Sequence, residues 1–284
     1  MNNTINIRGE LMDLSSPKVM GIINVTPDSF YAQSRKQSEK EIAERAIQIV
    51  EEGATFIDVG AYSSRPGAED ISEEEEMARL RHGLSIINRV APNTPISIDT
   101  FRASVAKMCV LEYGADIIND ISGGELDSIE SGADMFQTVA DLRVPYILMH
   151  MKGNPRTMQN NPHYDDLMGE IALYFSKRVN RLHELGVNDI ILDPGFGFCK
   201  TLEHNYHLLA HMEELHDFGL PLLVGISRKS MIYRLLDSTP QQALNGTTVL
   251  NTIALVKGAA ILRVHDVKEC VEAVKIYNKM KEVE

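Results

Sequence analysis

Along the chain, short runs of nearly unbroken apolar residues alternate with longer stretches of helical periodicity. The runs are Val19–Val25, Thr55–Gly60, Ile96–Asp99, Asp116–Asp120, Pro145–His150, Asp189–Asp193, Pro221–Ile226 and Ala260–His265. Each is mostly β-branched or Leu-rich, as expected of strands buried on both faces of a parallel sheet. The stretches between them carry helix signals. Ser38 with Glu41 and Ser72 with Glu75 fit capping boxes at helix starts. Glu41/Arg45 and Glu75/Arg79 are spaced as i,i+4 pairs on exposed faces. Gly53, Gly114, Gly186 and Gly219 each precede a strand, where a left-handed helix cap is wanted. Eight such alternations predict an α/β chain folded as a single closed (β/α)8 TIM barrel over residues 19–284. The alternative, a doubly wound open sheet, would want a Gly-rich phosphate loop after the first strand, and Asn24–Phe30 is not one. Residues 1–18 do not fit the repeat. Thr4–Arg8 and Glu10–Leu14 flank Gly9 and read as a hairpin-like extension across the barrel bottom.

Composition narrows the classes without changing that picture. The 284 residues are 44% hydrophobic, too apolar for a disordered chain, and a domain this long buries enough surface to need no staple. Cys109, Cys199 and Cys270 form no CxxC motif or Cys/His cluster, so neither a disulfide framework nor a structural zinc site is expected. Reduced thiols in the cytoplasm are the expectation. A net charge of −12 argues against a general grip on nucleic acid or anionic membrane, while leaving room for a local cationic pocket. Met1–Glu10 is polar, with no apolar core after Arg8, so no signal peptide is expected. The longest uncharged run, Ser238–Val256, holds Pro240, Gln241, Gln242, Asn245 and Gly246 and reads as a buried helix, not a membrane span.

Candidate chemistry lies at the ends of the runs. They finish on Asn24, Asp58, Asp99, Asn119, His150, Asp193, Ser227 and the pair Arg263/His265. In a (β/α)8 barrel these ends converge on the mouth where active sites form. Asp58, Asp99, Asn119 and Asp193 suit a flat nitrogen heterocycle. Arg65, Lys229, Arg263 and His265 suit a phosphate or carboxylate. An acidic, amide-rich half beside a cationic half points to a heterocycle carrying an anionic group. Other readings stand beside these. Asp58 also reads as a helix cap or loop organiser, and His150 as a satisfied core or loop histidine. His163, His183, His204, His207, His211 and His216 read as solvated residues on helical stretches, and Cys199 as a bystander.

These residues fall in motifs that resemble a known family. Met20-Gly-Ile-Ile-Asn-Val-Thr-Pro-Asp-Ser-Phe30 and Asp58-Val-Gly-Ala-Tyr-Ser-Ser-Arg-Pro-Gly67 resemble the two signatures of the dihydropteroate synthases. Ile98-Asp-Thr, Ile118-Asn-Asp-Ile-Ser-Gly-Gly124, Leu148-Met-His-Met151, Asp193-Pro-Gly-Phe-Gly-Phe198 with Lys200, Gly225-Ile-Ser-Arg-Lys-Ser230 and Arg263-Val-His-Asp266 continue the match in order. The resemblance implies condensation of a dihydropterin hydroxymethyl diphosphate with 4-aminobenzoate, giving dihydropteroate and pyrophosphate. It also implies Mg²⁺, a homodimer, binding of sulfonamide-type inhibitors and a place in folate synthesis.

Carried over residue by residue, Asp99, Asn119, Asp193 and Lys229 resemble the pterin-binding set, with Met149 and Gly225 lining a flat pocket. Asn24, Arg65, Arg263 and His265 resemble the diphosphate set, with Asn24 as the Mg²⁺ ligand. Ser64, Pro66 and Phe198, joined by Lys229 and Ser230, resemble the wall around 4-aminobenzoate. Asp58 joins the substrate-binding residues, and Asp99, Lys229, Arg263 and His265 form the catalytic set. Two stretches depart from the family pattern. Tyr31-Ala-Gln-Ser stands where Ser-Asp-Gly-Gly is usual after Phe30, and Gly60-Ala-Tyr-Ser-Ser-Arg-Pro where Gly-Gly-Glu-Ser-Thr-Arg-Pro is usual. Losing the glycines is expected to stiffen the first loop. The competing readings are a non-catalytic pterin-binding paralogue and a barrel that carries methyl-tetrahydrofolate to a corrinoid protein.

Overall fold

A computed structural model describes residues 3–25, 32–62, 70–126, 134–153 and 162–283; within the first helix, side chains are described from Glu39 onward. The chain opens with strands β1 (Thr4–Ile7) and β2 (Glu10–Asp13), paired antiparallel with Thr4 opposite Asp13 and Ile7 opposite Glu10. Arg8 and Gly9 both take positive φ (55° and 86°), the two-residue turn whose twist matches a hairpin. The alternation then begins: β3 (Lys18–Asn24), α1 (Ala32–Glu51), β4 (Phe56–Gly60), α2 (Glu73–Val90), β5 (Ile96–Asp99), α3 (Ala103–Tyr113), β6 (Ile117–Asp120), α4 (Met135–Leu142) and β7 (Tyr146–Met149). It continues with α5 (Leu167–Glu184), β8 (Ile190–Asp193), α6 (Leu202–Ala210), β9 (Leu223–Val224), α7 (Ser230–Tyr233), α8 (Leu244–Val256), β10 (Ile261–Val264) and α9 (Val267–Lys281).

All eight predicted strands form, and all pair in parallel, in the order β8-β7-β6-β5-β4-β3-β10-β9. The circle closes between β8 and β9 through a single bridge, Leu192 to Leu222, with the Leu192 N–H donating to Pro221 O at 2.9 Å. The run at Pro221–Ile226 yields only two ladder residues. Pro221 has no N–H to give, and Ile226 O is already taken by the Lys229 N–H in the turn that follows.

Strand periodicity sorts the core into layers. Met20, Phe56, Ile117, Ile147, Ile191, Leu223 and Ile261 point inward at the bottom of the barrel, joined there by Ile5, Ile7 and Leu14 from the hairpin segment. The extension is thus a plug across the bottom, as the sequence predicts. Arg8 fixes it from outside, donating to both carboxylate oxygens of Asp116 at 2.8 and 3.0 Å. The alternate residues, such as Ile57, Ile118, Leu148, Leu192, Leu262 and Val264, pack outward into the larger core beneath the helices.

Several local expectations hold. Ser72 caps α2 by accepting from the Glu75 N–H, and Glu75 pairs with Arg79 at 2.7 Å. Gly53, Gly114, Gly186 and Gly219 all adopt positive φ. Others do not. Ser38 lies inside α1, which starts at Ala32, so it does not stand at a helix start. The uncharged run becomes a 3-10 turn (Pro240–Gln242) and α8. Only one face of α8 is buried, while Val249, Ile253 and Val256 face solvent at i, i+4 and i+7. His163 lies ahead of α5, not on a helix, and the half-buried His216 ring holds Lys257 O at 3.0 Å.

Candidate active site

Two residues beyond the apolar bottom layer, four of the same inward faces turn polar or charged and two carry Met and Gly. Phe56 is followed by Asp58, Ile117 by Asn119, Ile147 by Met149, Ile191 by Asp193, Leu223 by Gly225 and Ile261 by Arg263. A period of two delivers them to one level at the mouth. Asp99 arrives there from the end of β5 and Asn24, exposed, from the end of β3.

Arg263 organises this level. Its Nε donates to Asp58 Oδ2 at 2.6 Å and its Nη2 to Asp99 Oδ2 at 2.7 Å. The wholly buried Asp58 also accepts the Asn119 amide at 3.3 and 3.4 Å. Among the described residues Asp58 ties β4, β6 and β10 together beneath the mouth. Burial pushes the Asp99 carboxyl up to about 7, with Arg263 opposing and Asp58, Glu76 and Asp120 adding to the rise.

Across the mouth, the buried Asp193 accepts the Gly195 N–H on Oδ1 at 2.8 Å. Burial raises its carboxyl against the opposing pull of Lys229, Arg263 and Lys200. Lys229 follows β9 at the start of α7, and burial pulls its ammonium down to about 8 against the attraction of Asp193. Its Nζ donates to Phe196 O at 2.5 Å and lies 4.8 Å from the centre of the Phe198 ring. Gly225 leaves room between Arg263 and Lys229: a Cβ there would lie 3.9 Å from Arg263 Cβ and from Lys229 Nζ. Ser230 stands half-buried beside Lys229. His265 Nδ1 pairs with Ser227 Oγ at 3.0 Å. Met149, Met151, Phe101, Ile121 and Cys199 make an apolar flank, against which Phe198 and Tyr62 pack.

The structure thus brings together Asp58, Asp99, Asn119, Met149, Asp193, Phe198, Gly225, Lys229, Ser230, Arg263 and His265. It corrects their expected division into an acidic half and a cationic half. Arg263 lies between two carboxylates and Lys229 beside a third, because so many charges in one buried layer are tolerable only when interleaved. Ser64, Arg65 and Pro66 lie outside the described residues, as does the family-atypical Tyr31.

Several contributors are either not singled out by the sequence or, like Arg45 and Glu76, read there only as charges on helix surfaces. Glu76, wholly buried on α2, accepts from Thr100 at 2.7 Å and Arg102 at 2.5 Å; burial raises its carboxyl. The Arg102 guanidinium lies 5.0 Å from the Phe101 ring and 5.6 Å from Tyr62, which fills the position where the family usually has Glu. Arg45 on α1 holds the His265 carbonyl at 2.5 Å. Arg228, beside Lys229, turns away to grip both oxygens of Asp266 at 2.9 and 2.7 Å. The available signal was a charged residue in an otherwise apolar helix face or strand end, which does not disclose its partner.

Residues 20–265 match the model of the pterin binding enzyme family. Dihydropteroate synthase of Escherichia coli (strain K12) is 45% identical over 273 residues, covering 95% of this chain and 93% of that protein. The crystal structure of the Yersinia pestis dihydropteroate synthase with a sulfonamide drug complex superposes with a TM-score of 0.85 at 42% identity, covering 98% of this chain and 99% of that one. The Xanthomonas albilineans dihydropteroate synthase with 4-aminobenzoic acid gives 0.84 at 34% identity, covering 99% of each chain. Sequence and fold agree with these relatives over nearly the whole length, and the chain belongs to the dihydropteroate synthase family of pterin-binding enzymes.

Proposed function

We propose that this chain condenses 6-hydroxymethyl-7,8-dihydropterin diphosphate with 4-aminobenzoate, releasing 7,8-dihydropteroate and pyrophosphate in folate biosynthesis. The observation that carries the reading is the single polar layer of Asp99, Asn119, Asp193, Lys229 and Arg263 above an apolar barrel floor. A pterin presents a guanidine-like edge and an amide edge. Asp193 is a paired acceptor for the first, and Asn119 both donates and accepts. Asp99 stabilises positive charge on the ring as the diphosphate departs. Arg263 and His265 meet the leaving oxygens, whose charge grows as the C–O bond breaks. The arylamine is neutral and already nucleophilic, so the new N–C bond needs no Ser, Cys or His nucleophile. Its surplus proton leaves once that bond has formed. The Phe198 ring, Lys229 and Ser230 form the described part of the 4-aminobenzoate wall, where sulfonamide-type inhibitors would compete. Ser64, Arg65 and Pro66 are assigned to that wall and the diphosphate by resemblance alone.

Mg²⁺ fits a site built mainly from substrate. Among the described residues no cluster of three acidic, His or Cys side chains could hold a metal. Asn24, exposed at the mouth, offers one neutral oxygen, and hard ions of this kind complete their shell with phosphate oxygens and water. When bound there, the ion supplies charge neutralisation to the diphosphate. A homodimer is supported by the exposed stripe of Val249, Ile253 and Val256 on α8, a helix packed against α9, on which Ile276 and Met280 are also exposed. Three buried free cysteines suit a reducing cytoplasm, and among the described residues no helix is long and apolar enough to cross a membrane.

The test is pyrophosphate release from both synthetic substrates, with and without Mg²⁺. Release dependent on 4-aminobenzoate and on the ion is expected. Pterin binding without release would instead identify a non-catalytic paralogue.

A further inference from the structure

The loop between β8 and α6 is held in an unusual way. Three of its carbonyls point at buried ammonium groups instead of solvent. Lys229 takes Phe196 O from one side. From the other, Lys200 Nζ donates to Gly195 O at 3.0 Å and Phe198 O at 3.2 Å, and to His150 Nδ1 at 2.9 Å. An ammonium carries three N–H groups and no acceptor, so these three bonds use it fully and make His150 Nδ1 the lone-pair side of a neutral ring. Both residues are buried, with Lys200 6% and His150 2% exposed. Burial pulls the Lys200 ammonium down to about 7 and keeps His150 well below its ordinary value.

Among the described residues no carboxylate hydrogen-bonds to this ammonium, though a methionine would fill the space without charge. The feature it does serve is the loop backbone. Gly195 takes φ of 70°, and a Cβ there would lie 2.0 Å from His150 O, so the loop presses directly on the end of β7. Cys199 is held at φ of 51°, costly for a side chain with a Cβ, while its carbonyl accepts the Tyr164 hydroxyl at 3.0 Å. Between these two points lies Phe198.

We propose that Lys200 and His150 are positioning residues for the second substrate: the ammonium gathers the loop backbone onto β7 and thereby aims the Phe198 ring at the 4-aminobenzoate site. This rests on the condensation reading above. Neither side chain hydrogen-bonds to the carboxylate or amide groups of Asp99, Asn119 and Asp193 that face the pterin; the contact with that layer is the His150 backbone N–H, which donates to Asp193 O at 2.9 Å and is kept in every variant below. Loosening the loop therefore separates the two substrates kinetically.

The experiment compares Lys200→Met with the parent enzyme. The KM for 4-aminobenzoate is expected to rise at least about 10-fold while that for the pterin diphosphate changes less than about 2-fold, since at least one charged hydrogen bond of substantial strength is lost from the loop. A merely structural role would lower the active fraction and leave both KM values in place. Unchanged KM values, or equal rises, overturn the proposal. If Lys200→Met fails to fold, the pair His150→Phe and His150→Gln carries the test. Removing the acceptor should raise the 4-aminobenzoate KM, and the Gln amide oxygen should bring it back. Absence of a difference within the pair overturns the proposal. Amide hydrogen exchange over residues 195–199 gives a readout independent of turnover. Exchange at least about 10-fold faster in the variant supports the tether, and unchanged exchange removes it. A parent enzyme that makes no dihydropteroate would sink the condensation reading, while the exchange data would still decide whether Lys200 holds the loop.

Discussion

Replacing Arg263 with Ala should destabilise the fold in a pH-dependent way as well as slow the reaction. In the intact protein one guanidinium spans Asp58 and Asp99 at 2.6 and 2.7 Å, with Asp58 wholly buried. Its removal leaves two carboxylates facing each other, with the Asn119 amide at 3.3–3.4 Å as remaining compensation for Asp58. Removing one partner from such a buried arrangement costs about 3–5 kcal/mol. An unfolding entropy of about 0.6 kcal/mol/K for a chain this long turns that into a Tm lower by about 5–8 °C. The sign of the pH effect follows from linkage. Asp99 already titrates near 7 with the opposing guanidinium present, against 3.8 when unfolded. Without Arg263 it rises further, so the folded variant binds more protons than its unfolded chain up to a higher pH. Stability relative to the parent then falls as pH rises through and beyond about 7, and recovers towards pH 5. Thermal unfolding of both proteins at pH 5 and pH 8 measures this directly. A Tm difference equal at the two values would refute the interleaved-charge account. Turnover should fall on the order of 10²-fold, as for loss of one preorganised donor at a developing anion.

Two further outcomes follow from the same layer and its surroundings. Asp193→Asn retains an acceptor for the Gly195 N–H but loses the charge facing Lys229, so calorimetry should give pterin binding weaker by about 2 kcal/mol; a change under about 3-fold would remove Asp193 from that role. Glu76→Ala strands Arg102 in the α2–β5 layer, and a denaturant midpoint should register about 3 kcal/mol of lost stability; an unmoved midpoint would exclude a buried ion pair there.

The barrel was legible because its strands alternate between two apolar environments and so read as continuous hydrophobic runs. The site was legible for the same reason: Asp58, Asn119, Asp193 and Arg263 interrupt those runs two positions beyond Phe56, Ile117, Ile191 and Ile261. What could not be read was pairing. Arg263 carries no sign in sequence that its Nε and Nη2 are held by Asp58 and Asp99, 205 and 164 residues away. Lys200 looked like the tail of a motif, and its three acceptors come from backbone atoms and a histidine 50 residues earlier. The failed cap at Ser38 has a simpler source, since a Ser three residues before a Glu is common and α1 had already begun.

The closure between β8 and β9 gives the barrel a mechanical asymmetry. Every other neighbouring pair of strands shares a ladder, whereas this pair shares one bridge at Leu192 and Leu222. A hoop loaded from within yields first where fewest bonds cross it, so the lowest-energy opening of this cylinder is a split along that line. The split would run up between Asp193 and the segment bearing Gly225 and Lys229, widening the mouth on one side only. A flat ring entering or leaving would meet a compliant wall there and a stiff one opposite, on β4 and β5. Any such opening would widen the mouth on the side of Asp193 and Lys229 and leave the spacing of the arginine-bridged carboxylates on β4 and β5 unchanged.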